Sequence, residues 1–199
     1  MENERLLDDA LKRELSTLYE DKDRHYHNLA HIEAMLALAS EYRELLGDPE
    51  AVEAAIWFHD AVYDSRAKDN EAQSAALAEK KLAGRIDAQR LGRISAMILA
   101  TATHRLPVFE DMTATHDAAL FLDMDLSILG APPDAFDAYE RAIRAEYQWV
   151  EEPMWRAGRG AVLNSFLTRP HIFHSEEFRR RFEPQARLNL ARSLEALKE

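Results

Sequence analysis

AAIWFHDAVYD, residues 54–64, is the stretch on which the reading of the whole chain turns. Its apolar run is almost continuous, and a helix of that kind belongs in a core, because a surface helix shows a polar face. At its end stand His59 and Asp60. An ionised carboxylate taken out of water without a partner is strongly disfavoured, so Asp60 needs either hydrogen-bond donors or a cation. A divalent metal meets that need.

Upstream, Gly47, Asp48 and Pro49 end one helix and start the central one. The helix before them is expected over about 28–46. There Leu29, Ile32, Leu36 and Ala39 form one stripe, and His31, Met35, Leu38 and Tyr42 an adjoining one. His31 thus lies at the edge of the buried arc. Leu6, Leu7, Ala10, Leu11, Leu15 and Leu18 recur at helical spacing and predict a first helix over 2–20, followed by a polar break at 21–27.

Downstream, the spacing predicts helices over 70–82 and 91–104, a loop over 106–115, and a helix from Ala118 to Leu129 that stops at Gly130. Pro132, Pro133 and Asp134 then supply a break and an N-cap, and Phe136, Tyr139, Ile143, Tyr147 and Val150 line one face of the next helix. Segments 153–167 and 184–197 complete the set, with a connection at 170–175 between them. No repeat, low-complexity tract or linker marks a second domain. The expected fold is an all-α helical bundle, one domain over 1–199, with a core at about 24–130 and additional C-terminal helices at 131–199.

Composition agrees with that class. The 199 residues are 47% hydrophobic and 31% charged, with only 6 Gly and 7 Pro, enough apolar content for a substantial core and a balance that favours helix. The chain has no cysteine, which excludes disulfides, thiolate catalysis and Cys-ligated zinc, so a metal must use His, Asp or Glu. The first ten residues lack an apolar leader region, and no run approaches the roughly 20 apolar residues of a membrane span, so a cytoplasmic protein with no membrane partner is expected. A formal net charge of −11 argues against binding long nucleic acid. A small phosphorylated substrate held beside a cation is compatible with it. Bundles of this size often pair, so a homodimer stays open.

A lone histidine at 31, an adjacent His-Asp pair at 59 and 60 closing a buried helix, and a later aspartate in FLDMDLSILG (121–130) together resemble the H…HD…D signature of the HD-domain superfamily. The stretches RHYHNLAHI (24–32), FHDAVYD (58–64), NEAQSA (70–75), IRAEY (143–147), GRGAVLNSFL (158–167) and ARLNLARSLEAL (186–197) are similar to one bacterial subgroup, described as predicted metal-dependent HD phosphohydrolases. The resemblance runs from about Arg24 to Leu197. It implies an HD-domain-like bundle, with five core helices between about 28 and 129 around the metal and the rest wrapped about them.

The resemblance further implies one divalent ion (Mn, Co, Ni, Mg, Fe or Zn) held by His31, His59, Asp60 and a fourth ligand, and hydrolysis of a small phosphate ester or anhydride, a nucleotide among the candidates, by attack of a metal-bound water. FLDMDLSILG offers Asp123 and Asp125 for the fourth place. Helical phase puts Asp125 on the stripe of Ala118, Phe121, Leu122 and Leu129, which favours it, as does the usual position of the last ligand in related sequences; Asp123 then caps, orients or faces solvent.

For proton transfer the first candidate is Asp64, one turn beyond Asp60 on the same helix, so that both carboxylates can face the same cavity. Alarmone hydrolases of the superfamily carry HDxxED here; this chain keeps the final aspartate but has Tyr63 in place of the glutamate. Glu71 is a second candidate, although a carboxylate in a first helical turn also serves simply to offset the helix dipole. For substrate binding, Arg24, His25 and His27 cluster before His31. His27 stands at i, i+4 from it, or outside the helix if Asn28 is the N-cap. His104, at a helix C-terminus, is a candidate imidazolium for phosphate or an ordinary helix-end histidine. Lys68, Arg144 and Arg159 are further phosphate contacts or merely solvated charges. Aromatic side chains such as Trp57 either stack on a base or pack in the core.

Two other readings fit the same residues. A binding or sensor module would keep the metal or pocket without turnover, as the replacement of an acid by Tyr63 allows. A dinuclear HD oxidase or phosphodiesterase would use the spare histidines at 27 and 104.

Overall fold

The structure, a computed structural model, describes residues 6–198. Among these residues the chain is helical, the sole β feature being an isolated bridge between Ala83 and Ile86. Two compact units divide it, one up to Met124 and one from Asp125 onward.

The first unit opens with Leu6 and Leu7, both buried, ahead of α1 (Asp9–Leu18). The expected helix therefore starts later than residue 2, at the point where Asp8 accepts the Leu11 N–H and caps it; residues 2–5 lie outside the described part. α2 (Leu29–Glu41) is capped by Asn28, which accepts the Ala30 N–H, and ends at Tyr42 in a 3₁₀ turn (Arg43–Leu45) rather than running to residue 46.

α3 (Pro49–Phe58) is the central helix. Ala51, Val52, Ala54, Ala55, Ile56 and Phe58 are all buried, and the helix packs against α1, α2, α4 (Asn70–Leu82) and α5 (Ala88–Ala100). Its start is tied down twice. Asp48 accepts the Ala51 N–H and grips Arg90 through both carboxylate oxygens, while Asp117 of α6 (Met112–Leu126) accepts the N–H groups of Gly47 and Asp48. A Cβ on Gly47 would meet Thr113 Cγ2 at 2.0 Å, so α6 approaches closely there and any larger residue would have to push the Thr113 side chain aside.

α5 ends four residues earlier than the pattern suggests, and α6 begins within the expected loop. α4 agrees with the expected span at both ends. Past it, Gly84 adopts φ +77°, the left-handed conformation that closes a helix without a Cβ penalty.

In the second unit a 3₁₀ turn (Ser127–Gly130) leads to α7 (Pro133–Glu146), α8 (Glu152–Leu167) and α9 (Glu176–Ala196). α9 packs against α8 and against the 3₁₀ turn, where a Cβ on Gly130 would fall 2.6 Å from the Phe182 carbonyl oxygen. Asn189, fully buried, donates to the carbonyls of Leu129 and Ala131. α9 starts eight residues before Pro184, which sits inside it; Ser175 accepts the Phe178 N–H as N-cap. Arg159, buried on α8, pairs with Glu140 and Tyr139, and Arg144 donates to the carbonyls of Tyr147 and Val150, so both are engaged internally rather than held for a phosphate.

Candidate metal centre

α3 stops one residue before the motif it carries. His59 is its C-cap, with its backbone N–H on the Ala55 carbonyl and ring Nδ1 2.9 Å from the Ile56 carbonyl. A carbonyl only accepts, so Nδ1 holds a proton and donates it, which leaves Nε2 as the ring's other face. The next carbonyl, of Trp57, accepts the Tyr19 hydroxyl at 2.9 Å, and that of Phe58 accepts the Ala61 N–H at 3.0 Å. The exposed carbonyls of a helix end are thus satisfied although the chain has left the helix.

The His59 Nε2 atom lies 3.3 Å from Nε2 of His31, on α2, and 2.9 Å from Oδ2 of Asp60; the His31–Asp60 distance is 3.9 Å. Asp125 is the penultimate residue of α6. His31, His59 and Asp125 each offer a ligand atom within 4.8 Å of the others, a group able to hold a metal ion. Both histidines are buried, and Asp125 is half-buried. Donors bound at about 2.0–2.2 Å to one ion stand roughly 3–3.5 Å apart, close to the Nε2–Nε2 and Nε2–Oδ2 separations here. Two lone-pair donors facing each other at 2.9 Å require a proton or a cation between them, and imidazole with carboxylate is a donor set that divalent transition metals accept.

Burial by itself would raise the pKa of the Asp60 carboxyl. The imidazoles of His59, His27 and His31 outweigh that, so it is held well below the usual carboxylate range.

Asp123 is fully buried, so it neither faces solvent nor sits on an outer stripe. From Asp117 to Met124 every residue of α6 is buried, and a helix enclosed on all sides has no polar stripe to read.

Residues 59–64 are not helical, so Asp64 is not one turn beyond Asp60 on a shared face. It is exposed, and its Oδ1 accepts the Arg66 N–H at 2.8 Å. Asn70 takes both backbone groups of Asp64, accepting its N–H at 3.0 Å and donating to its carbonyl at 2.9 Å. Ser74 Oγ does the same for Val62, at 3.1 and 3.2 Å. Glu71 is half-buried in the first turn of α4.

Arg24 does not project toward a substrate. It is buried, and its guanidinium donates to the carbonyls of His27, Asp60 and Ala61. His27 lies outside α2, as Asn28 is the cap, and its ring stacks on Tyr63 at 4.2 Å with Tyr26 edge-on at 5.2 Å. All three rings are half-exposed. His104 is half-buried beyond the end of α5, with φ +50° and its N–H on the Ala100 carbonyl. Trp57 is buried with no hydrogen-bond partner for its Nε1, which makes it a core residue rather than a platform for a base.

Tyr19, Asn70 and Ser74 hold the segment around the motif and were not singled out by the sequence. Asn70 and Ser74 are two of seven polar residues on α4 and carried no signal that sets them apart, and Tyr19, at the end of a leucine stripe, carried none either. No family model matches the chain, and no curated protein or solved structure is significantly similar to it.

Proposed function

We propose that this protein is a metal-dependent phosphohydrolase of the HD type, acting on a small phosphate ester or anhydride, with nucleotides the first substrates to test. The observation that carries the reading is the convergence of His31 Nε2, His59 Nε2 and Asp60 Oδ2, with Asp125 in reach of both imidazoles. His31, His59, Asp60 and Asp125 would hold the ion. When bound, a divalent ion supplies Lewis acidity toward a phosphoryl oxygen and acidifies water. The Ile56 carbonyl keeps Nε2 of His59 directed at the centre, and burial of both histidines limits competing water.

His27 is the side chain best placed to contact an anionic substrate, half-exposed beside Tyr63 and close enough to lower the Asp60 pKa. Protein stripped of metal and reloaded in turn with Mn, Co, Ni, Mg, Fe or Zn should cleave at least one member of a panel of nucleotides and phosphate monoesters. Inactivity with every metal on every member would overturn the proposal.

A second reading, a metal- or nucleotide-binding module without turnover, draws on Tyr63 and Asp64. The tyrosine ring that replaces an acid is packed between His27 and the Arg24 guanidinium, and the Asp64 carboxylate is turned to solvent. Tight binding by calorimetry, with the nucleotide recovered intact after long incubation with each metal, selects this reading over the first.

A further inference from the structure

We infer that Arg24 is a positioning residue for the metal centre, fixing the main chain of Asp60 and so the direction from which its carboxylate enters. The inference rests on the proposed metal centre. With α3 finished at Phe58, the carbonyls of Asp60 and Ala61 lie beyond the helix ladder. Arg24 meets both, donating through Nη1 to Asp60 at 2.6 Å and through Nη2 to Ala61 at 3.0 Å, and Nη1 also reaches the His27 carbonyl at 3.1 Å. One rigid planar group therefore joins the segment before α2, which carries His27 and leads to His31, with the segment after α3, which carries Asp60.

The fork is itself held. Its carbon lies 5.1 Å from the centre of the Tyr19 ring and 5.5 Å from that of Tyr63, and Tyr19 is anchored by its hydroxyl on the Trp57 carbonyl. A guanidinium keeps its charge in any environment and its donors lie in one plane, so it can serve three carbonyls from a buried position between two aromatic faces. Lysine would keep the charge but lacks the planar fork. The geometry assigns Arg24 to support of the ligand set, not to phosphate recognition.

The test is Co(II) binding by calorimetry, with the visible d–d absorption of the bound ion, on the full-length chain and its Arg24→Lys and Arg24→Gln variants. Both substitutions should weaken Co(II) affinity by about 10–100-fold, the usual consequence of losing an outer-shell partner, and shift or broaden the d–d bands. A purely structural role would lower the melting temperature of the chelator-treated protein and leave affinity and spectrum of the folded fraction as in the wild type; that result overturns the inference. Should Arg24 variants not fold, Tyr63→Leu removes one flanking ring and leaves the carbonyl bonds in place. It should weaken binding in the same direction by a few-fold, and unchanged affinity overturns the inference. Failure of the wild type to bind Co(II) would instead defeat the underlying metal-centre reading.

Discussion

His59 closes a helix and offers a ligand atom with the same ring, so substitutions there should have two separable effects. Without metal, His59→Ala leaves the Ile56 carbonyl without its Nδ1 donor and should lose about 1–2 kcal/mol in denaturant unfolding. With metal at about 100 times its dissociation constant, the wild type should gain about 2.7 kcal/mol, roughly 5–10 °C in melting temperature for a chain of this length. Both His59→Ala and His31→Ala should lose that gain. A wild-type melting curve unmoved by every divalent ion would contradict the four-residue site.

Asp117 makes a prediction of the opposite kind. Burial raises its pKa above the ordinary aspartate value, against the pull of the Gly47 and Asp48 N–H groups. A folded pKa above the unfolded one means that the native state binds the extra proton. Its contribution to stability is therefore fullest below about pH 4 and is lost as pH rises through the raised value. The advantage of wild type over Asp117→Asn, measured by urea unfolding, should narrow across that window, and a gap that widens would show the sign to be wrong.

Among the helices, what the sequence made legible was burial, and where burial and helicity coincide the spans agree. α4 is right at both ends because Asn70 follows a polar loop and Gly84 lies just past the Ala83 C-cap, clear signals at each terminus. The central run failed at its C-terminal end because Ala61 is buried and Val62 and Tyr63 half-buried without being helical. Apolar side chains continued past the point where His59 took over the helix carbonyls, and hydrophobicity does not report that exchange.

Pro184 misled in the other direction. A proline lacks an N–H yet is tolerated where packing supports the turns on either side, and α9 is held by α8 and the 3₁₀ turn. Of the candidate site, His31, His59, Asp60 and Asp125, which the structure brings near one another, were legible as residue types in order, whereas the side chains that hold residues 60–64 come from distant or unpatterned positions. Asn70→Ala should accordingly raise amide exchange in residues 61–66 while leaving far-ultraviolet dichroism unchanged. Exchange identical to wild type would show that Asn70 does not hold that segment.

Across the molecule, net charge and local geometry make different statements. A charge of −11 sets a repulsive long-range field for any polyanion, and no described helix is long and apolar enough to cross a membrane. The protein should pass through a DNA or heparin column unretained at low salt, and retention that is lost on adding salt would reveal a basic patch strong enough to override the total charge. A small dianion is a different case, since its attraction to a cation held at the proposed centre would act over a few ångströms and be little screened. Discrimination between short and long phosphorylated ligands is the expected outcome.

The irregular stretch from 60 to 64 carries a lesson for protein engineering. Its shape depends on Arg24, Asn70 and Ser74, with Tyr19 bracing the turn just before it, residues that no search for a two-letter His-Asp string would retrieve. Grafting the dipeptide onto the end of another buried helix would transplant the two proposed ligands without their scaffold, and a designer would have to import those four supports as well for the graft to keep this geometry.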